Sequence, residues 1–331
     1  MFNTFLVLNL LVANGAEAGP FYPKTMTQEL PQRHIDRNLV LPKGVMGLGL
    51  NLSSKYSTGY RDEQGVFQAY QNTSWSYTQY TVQYNSGLSK RLMLNLEIPW
   101  VMARLKTEND GLVQTFALGD VQTSVRYQPK IDGTNDVAFE LKLKSPSGVE
   151  WPESNRGSPA DIQSFLTGTG TTNLETNIYL QVPFKNYAST LSGGYVLTFR
   201  SIVGYVVEDA GFGNGILDPG NVLWATWTNL FQFSNTFSAS FYTTYKRHGT
   251  YRIGVSGAGT GWENPKTLQD PTAFLDGGFL LHFEPESKYF FSAGAEYQML
   301  GSDTRTFAAL GLEAFSPQPG ITAKLNGGLR W

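Results

Sequence analysis

Three histidines are the side chains best suited to catalysis or metal binding in this sequence: His34, His248 and His282. A serine hydrolase needs a histidine in contact with a nucleophile and an acidic or amide partner, and a zinc site needs several clustered ligands. No motif groups these histidines with such partners. The absence of cysteine excludes disulfides, thiol catalysis and cysteine-bound metals. The sequence therefore predicts no enzyme, no metal site and no cofactor.

A second set of residues, charged side chains of both signs together with aromatic rings, recurs at alternate positions of apolar stretches. A charge in a membrane protein is tolerated only where water or a partner meets it, so such a row is expected to line a polar lumen. Because the two signs nearly balance, we expect little selectivity between anions and cations, while the rings offer apolar surface to an uncharged aromatic solute. The predicted lumen-lining residues are Glu97, Arg126, Glu140, Lys142, Glu175, Tyr179, Arg200, Phe274, Glu296 and Lys324.

The elements that must position these side chains are β-strands. In "RLMLNLEIPWVM" (91–102) and "DVAFELKLK" (136–144) apolar and polar residues alternate, as side chains on a strand alternate between faces. A soluble β-sandwich is the alternative, but its strands are typically about 5–6 residues long. The alternation here continues over lengths that suit a tilted membrane-spanning strand, and aromatic residues such as Trp100 crowd the strand ends. The pattern predicts an all-β fold, a transmembrane antiparallel up-and-down β-barrel.

The connections between the predicted strands alternate between short and long, as in bacterial outer-membrane barrels. Thirteen segments have the alternating pattern, whereas single-chain bacterial barrels have an even number of strands. Either one late segment lies outside the wall and the barrel has twelve strands, or residues 251–257 add another and the barrel has fourteen. We predict twelve strands, with fourteen as the alternative.

The N-terminal region is expected to carry an export signal. "FLVLNLLVA" (5–13) has the length of a signal-peptide apolar region but is shorter than the about 20 residues of a spanning helix. "AEA" (16–18) supplies a cleavage site, although no basic residue precedes Lys24. We therefore expect export to the outer membrane of a Gram-negative bacterium through a cleaved signal peptide. The predicted parts are the signal peptide (1–18), an irregular proline-containing segment (19–43) and the barrel (44–331).

The C-terminal stretch "ITAKLNGGLRW" (321–331) has an apolar row ending in Trp331. Such a strand is expected to close the barrel and to be the part that the barrel-assembly machinery binds. The other expected partners are outer-membrane lipids and small-molecule solutes. The formal net charge of −2 gives no electrostatic reason to expect nucleic acid.

Two segments are expected either to leave the lumen open or to narrow it. Residues 19–43 are either a loose periplasmic tail or a plug that enters the lumen. Residues 146–169 form the longest predicted loop, in which "SPADIQSFL" (158–166) has the N-terminal signals of a short helix. This loop either stays at the surface or folds into the barrel mouth as a constriction.

Five stretches carry a resemblance to a known family. The sharpest is "GDVQ" within "LGDVQTSVRYQ" (118–128), and the others are "DRNLVLPKGV" (36–45), "YNSGLSKRLMLNLEIPWV" (84–101), "LTGTGTTNLE" (166–175) and "SKYFFSAGAEYQMLGSDTRTFAALGLEAF" (287–315). They resemble the channel-like outer-membrane family labelled "MetA-pathway of phenol degradation". The resemblance implies a barrel of about twelve strands, passage of aromatic or other apolar compounds, and no catalytic residues. Family members tend to end where Phe315 stands, which leaves the identity of the closing strand open.

Three functions follow from this reading of the sequence. The leading hypothesis is a passive outer-membrane channel or transporter for small, aromatic or apolar molecules. The second is a structural or surface-interaction barrel whose loops bind a partner. The third is an outer-membrane hydrolase.

Overall fold

The computed structural model describes most of the region predicted to form the barrel and part of the segment before it. The described residues are 30–57, 59–61, 67–69, 74–107, 111–130, 136–148, 171–207, 211–255, 266–269, 271–301 and 321–331. The predicted signal peptide (1–18) and the predicted helical turn at 158–166 lie outside them.

Nineteen strands are present in the described residues. The first nine are β1 (Met46–Ser57), β2 (Gly59–Arg61), β3 (Phe67–Ala69), β4 (Ser74–Ser89), β5 (Leu92–Thr107), β6 (Gly111–Leu118), β7 (Gln122–Lys130), β8 (Asp136–Lys144) and β9 (Asn173–Pro183). The others are β10 (Tyr187–Thr198), β11 (Ser201–Val207), β12 (Gly211–Asp218), β13 (Val222–Gln232), β14 (Phe237–His248), β15 (Tyr251–Val255), β16 (Lys266–Gln269), β17 (Thr272–Glu286), β18 (Tyr289–Gly301) and β19 (Ile321–Arg330).

Twelve of these strands form a closed antiparallel barrel. Their order around the ring is β1, β4, β5, β7, β8, β9, β10, β13, β14, β17, β18 and β19. The ring closes between β19 and β1, from Gly47 opposite Arg330 to Lys55 opposite Thr322. The prediction of a twelve-stranded antiparallel barrel is confirmed, and the last strand lies at the seam.

The other strands lie beyond the ring, at the end of the barrel where the connections are long. There β6 pairs with the outer half of β5, β2 pairs with β3, and β11, β12, β15 and β16 form a separate four-stranded sheet. The alternative of fourteen wall strands is wrong, because Tyr251–Val255 pairs with β12 and β16 and with no strand of the wall. The ring is complete without residues 305–315, which lie outside the described residues.

The two faces of the wall differ in chemistry and in exposure. Leu141 is 52% exposed, whereas its neighbour Glu140 is 5% exposed, because successive side chains on a strand point to opposite faces. Other exposed apolar residues on the same outer face include Leu50, Ile178, Leu191, Phe241, Leu281, Phe291 and Leu325. An apolar exterior around a closed ring is the surface that a membrane-spanning barrel presents to lipid.

Aromatic rings gather at the end of the barrel where the turns are short. Phe184 stacks on Tyr187 with ring centroids 5.2 Å apart, and Phe233 stacks on Phe237 at 5.6 Å. Such a belt is typical of the boundary between hydrocarbon and lipid headgroups. Among the described residues, no helix has the length and hydropathy that crossing a bilayer requires.

Candidate functional site

The segment that precedes β1 identifies which face of the wall is the interior. Residues 30–45 contain one turn of 3-10 helix, His34–Asp36, and no strand. The segment bonds to polar side chains of β7, β13, β14 and β17. Since these strands lie on opposite sides of a closed ring, one short segment can reach them all only from inside. The polar face of the wall is therefore the face of the lumen.

Glu284 on β17 anchors the segment to one side of the lumen. Its carboxylate pairs with Arg37 and lies against Nε2 of His34. Arg330 on β19 also donates to both of its oxygens, at 3.1 and 3.3 Å. Because Glu284 is only 4% exposed, its charge is stable there only when it is paired and hydrogen-bonded. Three partners from two elements therefore converge on one buried carboxylate.

The same segment reaches the opposite side of the lumen. The carbonyl of Leu39 accepts a hydrogen bond from Nη1 of Arg126 on β7, at 3.2 Å. Strands β7 and β17 are six positions apart in the ring of twelve, so they face each other. Farther along, the Pro42 carbonyl lies where a Cβ at Gly87 of β4 would stand, so the close approach there requires glycine. The segment thus crosses the width of the lumen at its short-turn end.

Ser238, His34 and Glu284 are connected in the order found in hydrolase triads. His34 Nδ1 lies 3.1 Å from the Ser238 hydroxyl, while its other nitrogen meets Glu284. However, Ser238 is only 2% exposed, which leaves no room for a substrate carbonyl, and Glu284 is also engaged by two arginines. Burial lowers the pKa of His34, and the contact with Glu284 opposes that shift. The arrangement suits an anchor for the N-terminal segment better than a nucleophile.

A second buried carboxylate, Glu140 on β8, organises one side of the interior. It accepts hydrogen bonds from Ser124 at 2.7 Å and from Tyr179 at 2.6 Å. Nη2 of Arg126 lies 3.3 Å from it, and this guanidinium also covers the Tyr179 ring at 4.3 Å. The structure therefore brings together three of the residues that the sequence predicted to line the lumen: Arg126, Glu140 and Tyr179.

The opposite side of the interior has two matching clusters. Lys324 pairs with Glu296 at 2.7 Å, and both contact the Tyr242 hydroxyl. Lys246 pairs with Asp276 at 3.4 Å and lies over the Phe274 ring at 5.3 Å. Each cation is thus balanced by an anion on its own part of the wall.

The remaining predicted lining residues divide into two groups. Glu97 accepts a hydrogen bond from Gln83 at 3.1 Å, and Lys142 lies opposite Glu175 in the pairing of β8 with β9. All three belong to the interior face. Arg200 does not join them, because β10 ends at Thr198 and the Arg200 side chain, 53% exposed, pairs with Asp218 beyond the wall.

Sequence reasoning missed the group at the short-turn end. It did not single out Glu284, which is an interior wall residue because β17 continues to Glu286. It also treated the histidines as separate, yet the rings of His34 and His282 meet edge to face at 5.0 Å. The signal that could have indicated them is the period-two pattern, which places Glu284 and His282 on the same face as Asp276.

Comparison with known proteins supports the fold. No family model matches the chain, and no curated protein matches it by sequence. Among solved structures, the COG4313 outer membrane channel from Pseudomonas putida F1 is similar, with a TM-score of 0.64 and 11% identity over 88% of this chain and 97% of that chain.

Two further structures align with lower scores. The toluene transporter TodX from Pseudomonas putida gives a TM-score of 0.46 and 8% identity over 96% of this chain and 95% of that chain. The translocator domain of autotransporter NalP from Neisseria meningitidis gives 0.46 and 10% identity over 88% and 90%. The likeness to the COG4313 channel, at 11% identity, concerns the fold alone, and that fold is the outer-membrane β-barrel.

Proposed function

We propose that this chain is a passive outer-membrane channel for small molecules, with a narrow, weakly ion-selective lumen. The observation that carries the proposal is the interior itself. Charged side chains of both signs line it and are paired within the wall, as in Lys324 with Glu296 and Arg126 with Glu140. A polar interior is what a water-filled lumen requires.

The proposed lining consists of the interior residues predicted from sequence: Glu97, Arg126, Glu140, Lys142, Glu175, Tyr179, Phe274, Glu296 and Lys324. Arg200 is left out, because its side chain pairs with Asp218 beyond the wall. Since each described ion pair is local, an ion entering the lumen meets little net field. This balance is the reason to expect weak discrimination between anions and cations.

Residues 19–43 are proposed to act as a plug that narrows the periplasmic mouth. The support lies in the described part, in which Arg37 pairs with Glu284 on one side and Leu39 accepts from Arg126 on the other. A segment held at two opposite walls obstructs the passage between them. Residues 146–169 remain a second proposed constriction, and residues 149–170 lie outside the described part of the chain.

The proposal also covers the surroundings of the barrel. We infer export through a signal peptide at residues 1–18, insertion among outer-membrane lipids, and binding of β19 by the barrel-assembly machinery. The fold shared with an outer membrane channel of Pseudomonas putida F1 supports passage of small molecules. The resemblance to the family labelled "MetA-pathway of phenol degradation" is the reason to propose aromatic or other apolar solutes.

A single-channel recording tests the proposal. Refolded protein in planar bilayers should give small current steps that do not close at raised voltage. Deletion of residues 19–43 should increase the conductance of each step. A barrel that is correctly folded but silent, both intact and after deletion of 19–43 or of 149–168, would contradict the channel function.

A surface-interaction barrel is the second candidate, and one observation favours it. The four-stranded sheet of β11, β12, β15 and β16 extends beyond the wall, a larger structure than a channel mouth requires. A silent barrel that binds a partner only when this sheet is intact would establish that function instead.

A further inference from the structure

Charged residues are not spread evenly around the lumen. Every strand of the arc from β5 to β9 carries at least one charged interior side chain, and so does every strand of the arc from β14 to β19. The two intervening neighbours β10 and β13 carry none. Their interior positions include Thr190, Ser192 and Val196 on β10, and Thr226, Thr228 and Leu230 on β13. We call this surface the β10–β13 stripe.

The strands opposite, β1 and β4, are also nearly free of charge, but their chemistry differs. Their interior side chains include the amides Gln79 and Gln83, of which Gln83 donates to Glu97 at 3.1 Å. Lys55 lies at the far end of β1. The β10–β13 stripe is thus the uncharged surface of the lumen with the most apolar character, running between two arcs whose charges neutralise themselves.

Trp224 lies in this stripe, near the long-loop end of β13. Its indole N–H donates to Glu175 on β9 at 2.9 Å, across the intervening strand β10. The indole passes over Gly194, where a Cβ would stand 2.8 and 2.9 Å from two of its ring atoms. Glycine at that position therefore allows the ring to lie close to the wall, and the Trp224 side chain remains partly exposed.

Trp224 differs from four other interior rings in what covers it. Within the described residues, Tyr179, Tyr242, Phe274 and Phe290 each lie under a cation, at 4.3 to 5.3 Å. No cation of the described part of the chain covers Trp224 in this way. Lys246, its direct cross-strand partner, extends instead to Asp276.

We propose that the β10–β13 stripe is the path of a flat, uncharged solute through the barrel, and that the indole face of Trp224 is its stacking site. This inference rests on the proposed channel function and adds the place where the solute binds. Charged side chains hold water, and displacing that water with an apolar ring is unfavourable. The stripe avoids this cost, while offset stacking on an aromatic ring adds to the free energy gained by burial.

The stripe leads to the N-terminal segment at the short-turn end. Gln232, the last interior residue of β13, accepts the backbone N–H of His34 at 2.9 Å. A solute that follows the stripe therefore meets the 3-10 turn before it leaves the barrel. The stacking site lies nearer the long-loop end than the 3-10 turn does, so a solute can occupy it while the N-terminal segment stays docked.

The test is block of single-channel current by phenol, the smallest uncharged aromatic alcohol, added equally to both sides of a planar bilayer. Cyclohexanol, similar in size but not aromatic, is the matched solute. We expect phenol to reduce the current at lower concentration than cyclohexanol, and W224L to raise the half-blocking concentration of phenol by roughly two- to tenfold. F290L is the matched variant, because Phe290 is an interior ring that lies under Arg330, and it should leave phenol block unchanged.

A second variant tests the path without changing Trp224, in case W224L disturbs folding of the barrel. T228D puts a charge in the middle of the stripe and should weaken phenol block, whereas S292D, an interior hydroxyl on β18 in a charged arc, should not. An open channel in which W224L and T228D leave phenol block unchanged would overturn the path while leaving the channel function intact. A wild-type barrel that is folded yet passes no ions would overturn both.

Discussion

Met46 and Trp331 exchange backbone hydrogen bonds. The N–H of Met46 donates to the carbonyl of Trp331 at 2.9 Å, and the N–H of Trp331 donates to the carbonyl of Met46 at 3.0 Å. The pairing of β1 with β19 thus extends by one further residue pair at its short-turn end. Since an unpaired strand edge in lipid leaves backbone groups without partners, this seam is essential to a membrane barrel.

Removal of residues 321–331 should prevent assembly, because β1 and β18 would then face each other across a missing strand. The expected result is loss of the heat-modifiable folded band on a gel and loss of protein from the outer membrane. Deletion of residues 305–315 is the matched control. The ring of twelve is complete without them, so this shorter protein should still assemble, and its failure would mean that those residues contribute to the wall.

The strand pattern was predictable because period two is a direct consequence of strand geometry. Leu141 and Glu140 fall on opposite faces by their place in the sequence, and the structure gives them opposite exposure. The strand count was less certain, because Tyr251–Val255 has strand-like sequence. Whether such a stretch enters the wall depends on its pairing with distant strands, which a local pattern does not specify.

The interior contacts were predictable only in part. Alternation places Glu140 and Arg126 on the same face, but their neighbourhood depends on the register of β7 against β8. The anchor at Glu284 was not predictable, because it joins β17 to His34 and Arg37, which lie in a segment with no periodic pattern. Long-range contacts of irregular segments depend on the shape of the cavity that they enter, and the sequence alone does not give that shape.

The outer apolar row should be sensitive to charge. We expect Leu141→Arg to destabilise the folded barrel by roughly 2–4 kcal/mol if the residue lies near the bilayer midplane, because the guanidinium would face hydrocarbon. Its neighbour Lys142 lies on the interior face, so Lys142→Gln should cost far less. Unfolding in lipid, followed by tryptophan fluorescence, measures both, and equal destabilisation would contradict the assignment of faces. Asn95 is a poorer control, because it donates to both Ser124 and Glu140.

Arg37 should hold the N-terminal segment in the lumen. Arg37→Met removes its ion pair with the buried Glu284, a charged hydrogen bond worth about 1.5–3 kcal/mol. The segment should then undock more often, and the mean single-channel conductance should rise. Lys43→Met is the matched control, since Lys43 is an exposed lysine of the same segment. Equal conductance in wild type and Arg37→Met would argue that the segment does not limit the passage.

Glu140 should balance the charge of Arg126 in the lumen and thereby keep the ion selectivity weak. Glu140→Gln keeps the shape of the side chain but removes the charge that pairs with Arg126. The freed guanidinium would leave the lumen with an unbalanced positive charge, so selectivity should shift toward anions. Reversal potentials in a salt gradient measure this shift, and Asp218→Asn, a carboxylate beyond the wall, should leave them unchanged. A shift toward cations, or no shift, would contradict the role of Glu140 in the lumen.

Acidification should loosen the N-terminal segment. His34 faces Glu284, Arg37, Arg330 and His282. Burial lowers the pKa of His34 in the docked segment below the ordinary value of 6.5, which His34 regains when the segment undocks. At a pH between the lowered and the ordinary pKa, the docked segment therefore binds fewer protons than the undocked one. Docking is therefore fully favourable above about pH 6.5 and weakens as the pH falls below it. We expect single-channel conductance to rise as the pH is lowered from about 7.5 to about 5, the range in which histidine titrates.

His34→Gln separates this effect from the titration of other groups, because glutamine retains a polar side chain but has no proton to gain in this range. Its conductance should vary less with pH than that of the wild type. His248→Gln is the matched control, since His248 lies at the far end of β14, away from the segment, and its pH profile should follow the wild type. A wild-type conductance that falls on acidification, or an unchanged profile in His34→Gln, would exclude His34 as the group that loosens the segment.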